Sequence, residues 1–424
     1  MHLYFVYIVW AILFWYPFWF ITKITKSDKV NPLLFIFILD FSFEFLKVVV
    51  APEVCYPLNY FCYSDGIVNE NQIAVVILSC IRMLAFNIVI TIFLSFCDNY
   101  KPIVTLPYIE VKDIDLKMIS YLFYLLFLLS LFILASSSFG VLSWLVSPRE
   151  GYQFHREGAG VFFAAALSFL SLSFVFRLFI YKDSKQINSM VGCFLLYLIS
   201  VYFLGSKGFI LSFSVYFVSY LWFVRYKKLK RAFFISSICA LILVLWNLIS
   251  SLSSSVDFRF FVNYFDAYVN SAYIYESLSR GSLNFFEGDI FFGRLWELAP
   301  RIIFSDKPFV YGDLLVNEYM FPGSAELGHT PSFGGPIFDY ADFGIVGVLL
   351  GSLMLTKLLH FYLIYAFMKF NSIGEISNNL MGVMLFSIAF APSFLHYIPS
   401  MLAVMFFISC SILCFLTVYL RRRL

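Results

Sequence analysis

The stretch ELAPRIIFSDKP, residues 297–308, sets Glu297, Arg301, Asp306 and Lys307 around two prolines, in a chain otherwise dominated by Phe, Leu, Ile and Tyr. An arginine makes paired, charge-assisted bonds to phosphate or carboxylate oxygens, and a lysine acts as a point charge. More cations lie upstream at Arg259, Arg280 and Arg294. Others sit in short polar breaks: Lys207 in GSKG, and Arg149, His155 and Arg156 in SPREGYQFHREG. As a group they suit the binding of an anion with several oxygens. Pro300 and Pro308 would fix the backbone, and Glu297 or Asp306 would orient the cations. A salt-bridge network that only shapes the segment is the other reading of the same residues.

These groups need a frame. The chain has 424 residues, of which 61% are hydrophobic and 13% charged, against about a quarter charged in a soluble domain. Apolar blocks of about 20 residues recur along the whole length, each long enough to cross a hydrocarbon slab of about 30 Å. The pattern predicts an all-α polytopic membrane helix bundle of about 11 spans: roughly 2–22, 31–51, 73–96, 116–136, 159–181, 189–204, 209–226, 232–252, 342–366, 377–396 and 398–420. They form a single integral membrane domain over 1–424. The first block lacks a basic leader region and a small-residue cleavage site, and reads as a retained helix. Every odd-numbered span exits into Lys and Arg, from Lys23, Lys26 and Lys29 after the first to Arg421, Arg422 and Arg423 after the last. Such residues stay on the cytoplasmic side, so the N-terminus is predicted outside, the C-terminus inside, and the long loop 253–341 extracytoplasmic.

Within that loop Phe258, Phe261, Phe265, Tyr268, Ala272 and Tyr275 recur at three- and four-residue steps, with Asp257, Asn263, Asp266 and Asn270 on the other side. This is the pattern of an amphipathic helix, lying on the membrane surface or packing on neighbouring spans. Cations on the outer side, in greasy surroundings, would suit a lipid-linked diphosphate at the headgroup boundary. The net charge of +3 gives no general attraction for nucleic acid.

Ionisable residues inside spans are expensive and normally face protein or water. Asp40, Glu44 and Lys47 share one face of the second span, an ion-pair ladder or a substrate contact, and Arg82 lies midway through the third. His360 and His396 read as packing residues. Cys55 and Cys62, in CYPLNYFC on an outside loop, predict a disulfide. The other cysteines read as small apolar packing groups, and no Cys/His spacing resembles a metal site.

Two segments carry a family resemblance. ELAPRIIFSDKP is similar to the prolyl-arginine, hydrophobic, Lys-Pro element of bacterial O-antigen and oligosaccharide repeat-unit polymerases, the Wzy family. HTPSFGGPIFDYADFGIVGVLLGSLML looks like that family's second element, through Thr330, Ser332, Gly334, Gly335, Asp339, Gly344 and Gly347. GSKG departs from the Ser-Arg-Gly often found in relatives. The resemblance implies the general shape of polyprenyl-dependent membrane glycosyltransferases. It implies a bacterial inner-membrane location, with the active site on the periplasmic face. The reaction implied passes a growing glycan from its polyprenyl diphosphate to the terminal sugar hydroxyl of a new lipid-linked unit. No cofactor or metal is needed, which agrees with the absence of a nucleotide-binding glycine loop. Membrane lipid and a chain-length regulator protein are the implied partners. Arg301, Lys307 and Arg294, with Arg259, Arg280 and Lys207, would stabilise the departing diphosphate. His329, the only histidine of the loop, would take the proton of the attacking hydroxyl or make a structural hydrogen bond, with Glu326 and Asp339 as further candidates. An O-antigen ligase, a flippase or transporter for lipid-linked sugars, and a membrane scaffold are the rival readings.

Overall fold

The computed structural model describes residues 2–25, 32, 44, 45, 48, 67–99, 109–155, 160–181, 186–205, 207–225, 267–299, 304–323, 333–371 and 379–390. Asp40, Lys47, Cys55, Cys62, Arg156, Arg259, Arg301, Glu326, His329, Thr330, Ser332, His396 and the predicted spans at 232–252 and 398–420 lie outside the described residues. Among the described residues all regular elements are helices, and one isolated bridge pairs Glu110 with Asn379. Helices over Asn71–Ser95, Asp113–Ser138 and Gly160–Leu178 are long and apolar enough to cross a bilayer. The chain divides into two compact units, Met1–Ile103, Ile249–Trp296 and Pro308–Phe361 on one side, and Val104–Leu248, Glu297–Lys307 and Tyr362–Leu424 on the other.

In the first unit α1 (His2–Thr25) packs along α2 (Ile67–Asn99). Tyr7, Trp10 and Phe14 turn inward, while Tyr4, Ile8, Ile12, Trp15 and Trp19 form an exposed apolar stripe. That two-sided greasiness fits a helix with protein on one face and lipid on the other. Asn87 Nδ2 donates to the Leu13 carbonyl at 2.8 Å and ties the pair. Helix α9 (Ala267–Ser279) also packs on α2 and buries Tyr268, Ala272, Ile274 and Leu278. The described half of the predicted amphipathic helix thus lays its apolar face on a neighbouring span.

The predicted single span 342–366 is broken in two. Helix α12 (Ile337–Leu350) is kinked at Phe343 and Gly344, and α13 (Ser352–Asn371) starts after an extended Gly351. At Gly351 a Cβ would stand 2.7 Å from Oδ1 of Asp339, so the carboxyl group occupies the space a side chain would need. Two short elements complete the unit, α10 (Asp289–Gly293) and α11 (Leu314–Met320).

In the second unit α3 (Asp113–Ser138) and α6 (Gly160–Leu178) make the most extensive helix pair. Small residues allow the close approach: Ser120 Oγ donates to the Ser173 carbonyl at 3.0 Å and Ser173 Oγ to the Ser120 carbonyl at 2.8 Å. Helix α7 (Ile187–Tyr202) joins them through Tyr197, whose hydroxyl lies 2.6 Å from Ser173 Oγ. Between α3 and α6, α4 (Val141–Val146) and α5 (Pro148–Phe154) fold over the break that leads into α8 (Lys207–Ser219), with Trp144 Nε1 donating to the Phe203 carbonyl at 2.8 Å. Helix α14 (Leu380–Ala389) begins beside α3. The Asn379 side chain accepts from Ile109 N and Met381 N, and Leu380 N donates to the Ile109 carbonyl at 2.9 Å.

Candidate functional site

Arg294 opens the 3₁₀ turn Arg294–Leu298 that continues α10. Its side chain keeps 5% of its surface, and Nε and Nη2 both donate to Oδ1 of Asp313, at 2.9 and 2.6 Å. A glycine pair makes the approach: a Cβ on Gly293 would stand 2.7 Å from the Gly312 amide nitrogen. The two backbones can touch there, and the next residue on each carries the ion pair. Nη1 of Arg294 lies 4.0 Å from Oδ1 of Asp339, buried in the first turn of α12. The fold therefore brings together Arg294 and Asp339, both anticipated, and adds Asp313, which was not. Asp313 precedes the helical run LLVNEYM, the cap position where aspartate is favoured, and that signal could have found it.

Asp342, one turn beyond Asp339, is the second residue missed. Its Oδ1 accepts from the backbone N–H of Gly288 and Ile290 at 2.9 and 3.1 Å, and its Oδ2 from Phe291 at 2.8 Å. A carboxylate on the free amides at the start of a helix complements the local dipole. Two carboxyl groups, of Asp313 and Asp339, thus face one guanidinium, and Asp342 lies close enough to Asp313 to act on its charge. At Asp313 burial pushes the carboxyl above its ordinary value, Arg294 pulls it part of the way back, and Asp339 and Asp342 push it up. Asp313 Oδ2 is buried with no hydrogen-bond partner. The cluster locks three distant segments together and commits most of the Arg294 charge to the fold.

The second sequence element packs on α9. Gly334 N donates to the Ala267 carbonyl and to Ser271 Oγ, and Ser271 Oγ lies 2.8 Å from the Gly334 carbonyl. A Cβ on Gly334 would stand 2.3 Å from the Tyr268 ring. The Tyr268 hydroxyl donates to Oε2 of Glu44 at 3.0 Å and lies 3.0 Å from Ser79 Oγ. Glu44, predicted to serve in a helix ladder, is thus engaged by a residue of the long loop. Arg82, a turn beyond Ser79, is buried, and its Nε donates no hydrogen bond to the described residues.

Of the other anticipated cations, the side chains of Lys307, Arg280 and Arg149 are among the described residues. Lys307 Nζ donates to the Ala299 carbonyl at 3.2 Å, and Ser305 Oγ donates to the exposed Asp306 at 3.2 Å. Arg280 pairs with Glu276 at 2.8 Å on the surface, one turn away. Lys207 heads α8 and Glu297 lies in the 3₁₀ turn; their side chains are outside the described residues. Arg149 is exposed, and its Nη1 donates to the Gly205 carbonyl at 3.3 Å, two residues before Lys207.

Over 206 residues the chain is 28% identical to proteins named O-antigen polymerase from Salmonella typhimurium and Salmonella typhi, covering 48% of this chain and 49% of either relative. The chain thus spans about half the length of the curated relatives it matches. No protein-family profile and no solved structure matches it.

Proposed function

We propose that this protein is a membrane glycosyltransferase that polymerises repeat units carried on polyprenyl diphosphate, working on the periplasmic face of the bacterial inner membrane. The observation that carries the reading is the similarity to O-antigen polymerases over half the chain. The membrane-length apolar helices and the cations of the ELAPRIIFSDKP segment agree with it. In the reaction the bond between the anomeric carbon and the diphosphate breaks, and the terminal hydroxyl oxygen of the incoming unit bonds to that carbon. The hydroxyl proton passes to a base, for which His329 is the candidate, and the electron pair of the broken bond leaves with the diphosphate. Arg301 and Lys307, with Arg259 and Lys207, neutralise the charge that develops there. A protein that sets chain length is a further partner under this reading.

Incubation of the purified full-length protein in proteoliposomes with a defined polyprenyl-diphosphate oligosaccharide should give a ladder of products on a gel. Arg301→Ala should lower the rate by about 10²–10³-fold, and His329→Ala by about 10²–10⁴-fold, with both variants still in the membrane. Full-length ladders from both would refute these roles. Transfer to a lipid A–core acceptor with no ladder would identify a ligase instead.

A further inference from the structure

The segment from Ile290 to Trp296 is built inside out for a water-facing loop. Ile290 and Arg294, one turn apart, point inward, and the arginine meets Asp313 and Asp339 there. On the outer side stand Phe292 at 61% exposure, Leu295 at 55% and Trp296, with Phe285 beside them. In water the hydrophobic effect would turn that aromatic face inward and leave the guanidinium solvated. The opposite arrangement is stable where the surroundings are apolar.

The exposed face is also continuous with the exposed apolar side of α12. A Cβ on Gly288 would stand 3.2 Å from the rings of both Phe292 and Phe343, and the Phe291 and Phe343 rings are 6.5 Å apart. From Phe343 the exposed apolar surface runs on through Ile345, Val346 and Leu350 along α12. An apolar patch that merges with the exposed apolar side of a neighbouring helix, in a protein with bilayer-length helices, has the bilayer as its natural partner.

We propose that the tip of this segment dips into the bilayer surface, where Phe292, Leu295 and Trp296 contact phospholipid acyl chains and hold the loop against the membrane. This surface is distinct from the catalytic reading above and does not depend on it. The test uses full-length protein with its native cysteines replaced by alanine, in phosphatidylethanolamine–phosphatidylglycerol vesicles. Nitroxide labels go at Phe292→Cys, Leu295→Cys and, as a control on the exposed polar end of α9, Ser279→Cys. Power saturation should show access to oxygen several-fold above access to a water-soluble nickel chelate at 292 and 295, with the ratio reversed at 279. Labels at 292 and 295 that behave like the one at 279 would overturn the proposal. So would labels reached by neither reagent, which would mean that another part of the chain or a second copy covers the face. If the cysteine-free protein does not accumulate, benzoylphenylalanine at position 292 of the otherwise native chain gives the same decision: a phospholipid adduct supports the proposal and a protein cross-link in its place refutes it.

Discussion

With Arg294 replaced by alanine, Asp313 and Asp339 would stay buried without the guanidinium that faces them. Removing one partner of a buried pair costs about 3–5 kcal/mol, so Arg294→Ala should lower the thermal midpoint of the detergent-solubilised protein markedly. Arg294→Lys should recover little, because a single ammonium cannot reproduce two bonds held in a planar fork. An unchanged midpoint would show that the cluster carries no structural weight. Asp313 has a pH signature of its own. Folded, it holds its proton to higher pH than in the unfolded chain, whose ordinary value is 3.8. Between 3.8 and that raised value the native state binds more protons, so stability is full below the window and falls as pH climbs through it. Asp313→Asn should flatten that decline in midpoint-against-pH curves, and parallel curves would assign the slope elsewhere. Arg294 and Asp339 were legible in the sequence by residue type. Their meeting was not, because a pair made through the contact of Gly293 with Gly312, across a loop, leaves no periodic trace.

At the level of elements, the second sequence motif works as a packing device for α9. Tyr268 is buried and held at its hydroxyl by Glu44 and Ser79, so its ring cannot retreat from a side chain added at Gly334. Gly334→Ala should therefore cost about 1–3 kcal/mol through overpacking, seen as a lower thermal midpoint. A neutral result would mean that the loop relaxes away from α9. The apolar period of 258–275 was readable, and over its described part the burying partner is α2. Hydropathy also ran 342–366 together as one helix, since α12 and α13 are both apolar. The extended Gly351 and the kink at Phe343 and Gly344 interrupt it, and averaging over a window erases both.

For the whole molecule, the long apolar helices were the most legible feature, because a run of greasy residues matching bilayer thickness needs no partner to announce itself. Charge bias added a predicted orientation. The bridge between Glu110 and Asn379 bears on it from another direction. Helices α3 and α14 both begin at that junction. If both cross the bilayer, both enter from one side, and the polypeptide between residues 112 and 379 makes an even number of passages. The charge-based scheme places six there, in agreement with that parity. Alkaline phosphatase and a fluorescent protein, each inserted in turn at positions 111 and 376, should report the same compartment at both sites. Opposite compartments would break the parity and, with it, the pairing of these two helix entrances.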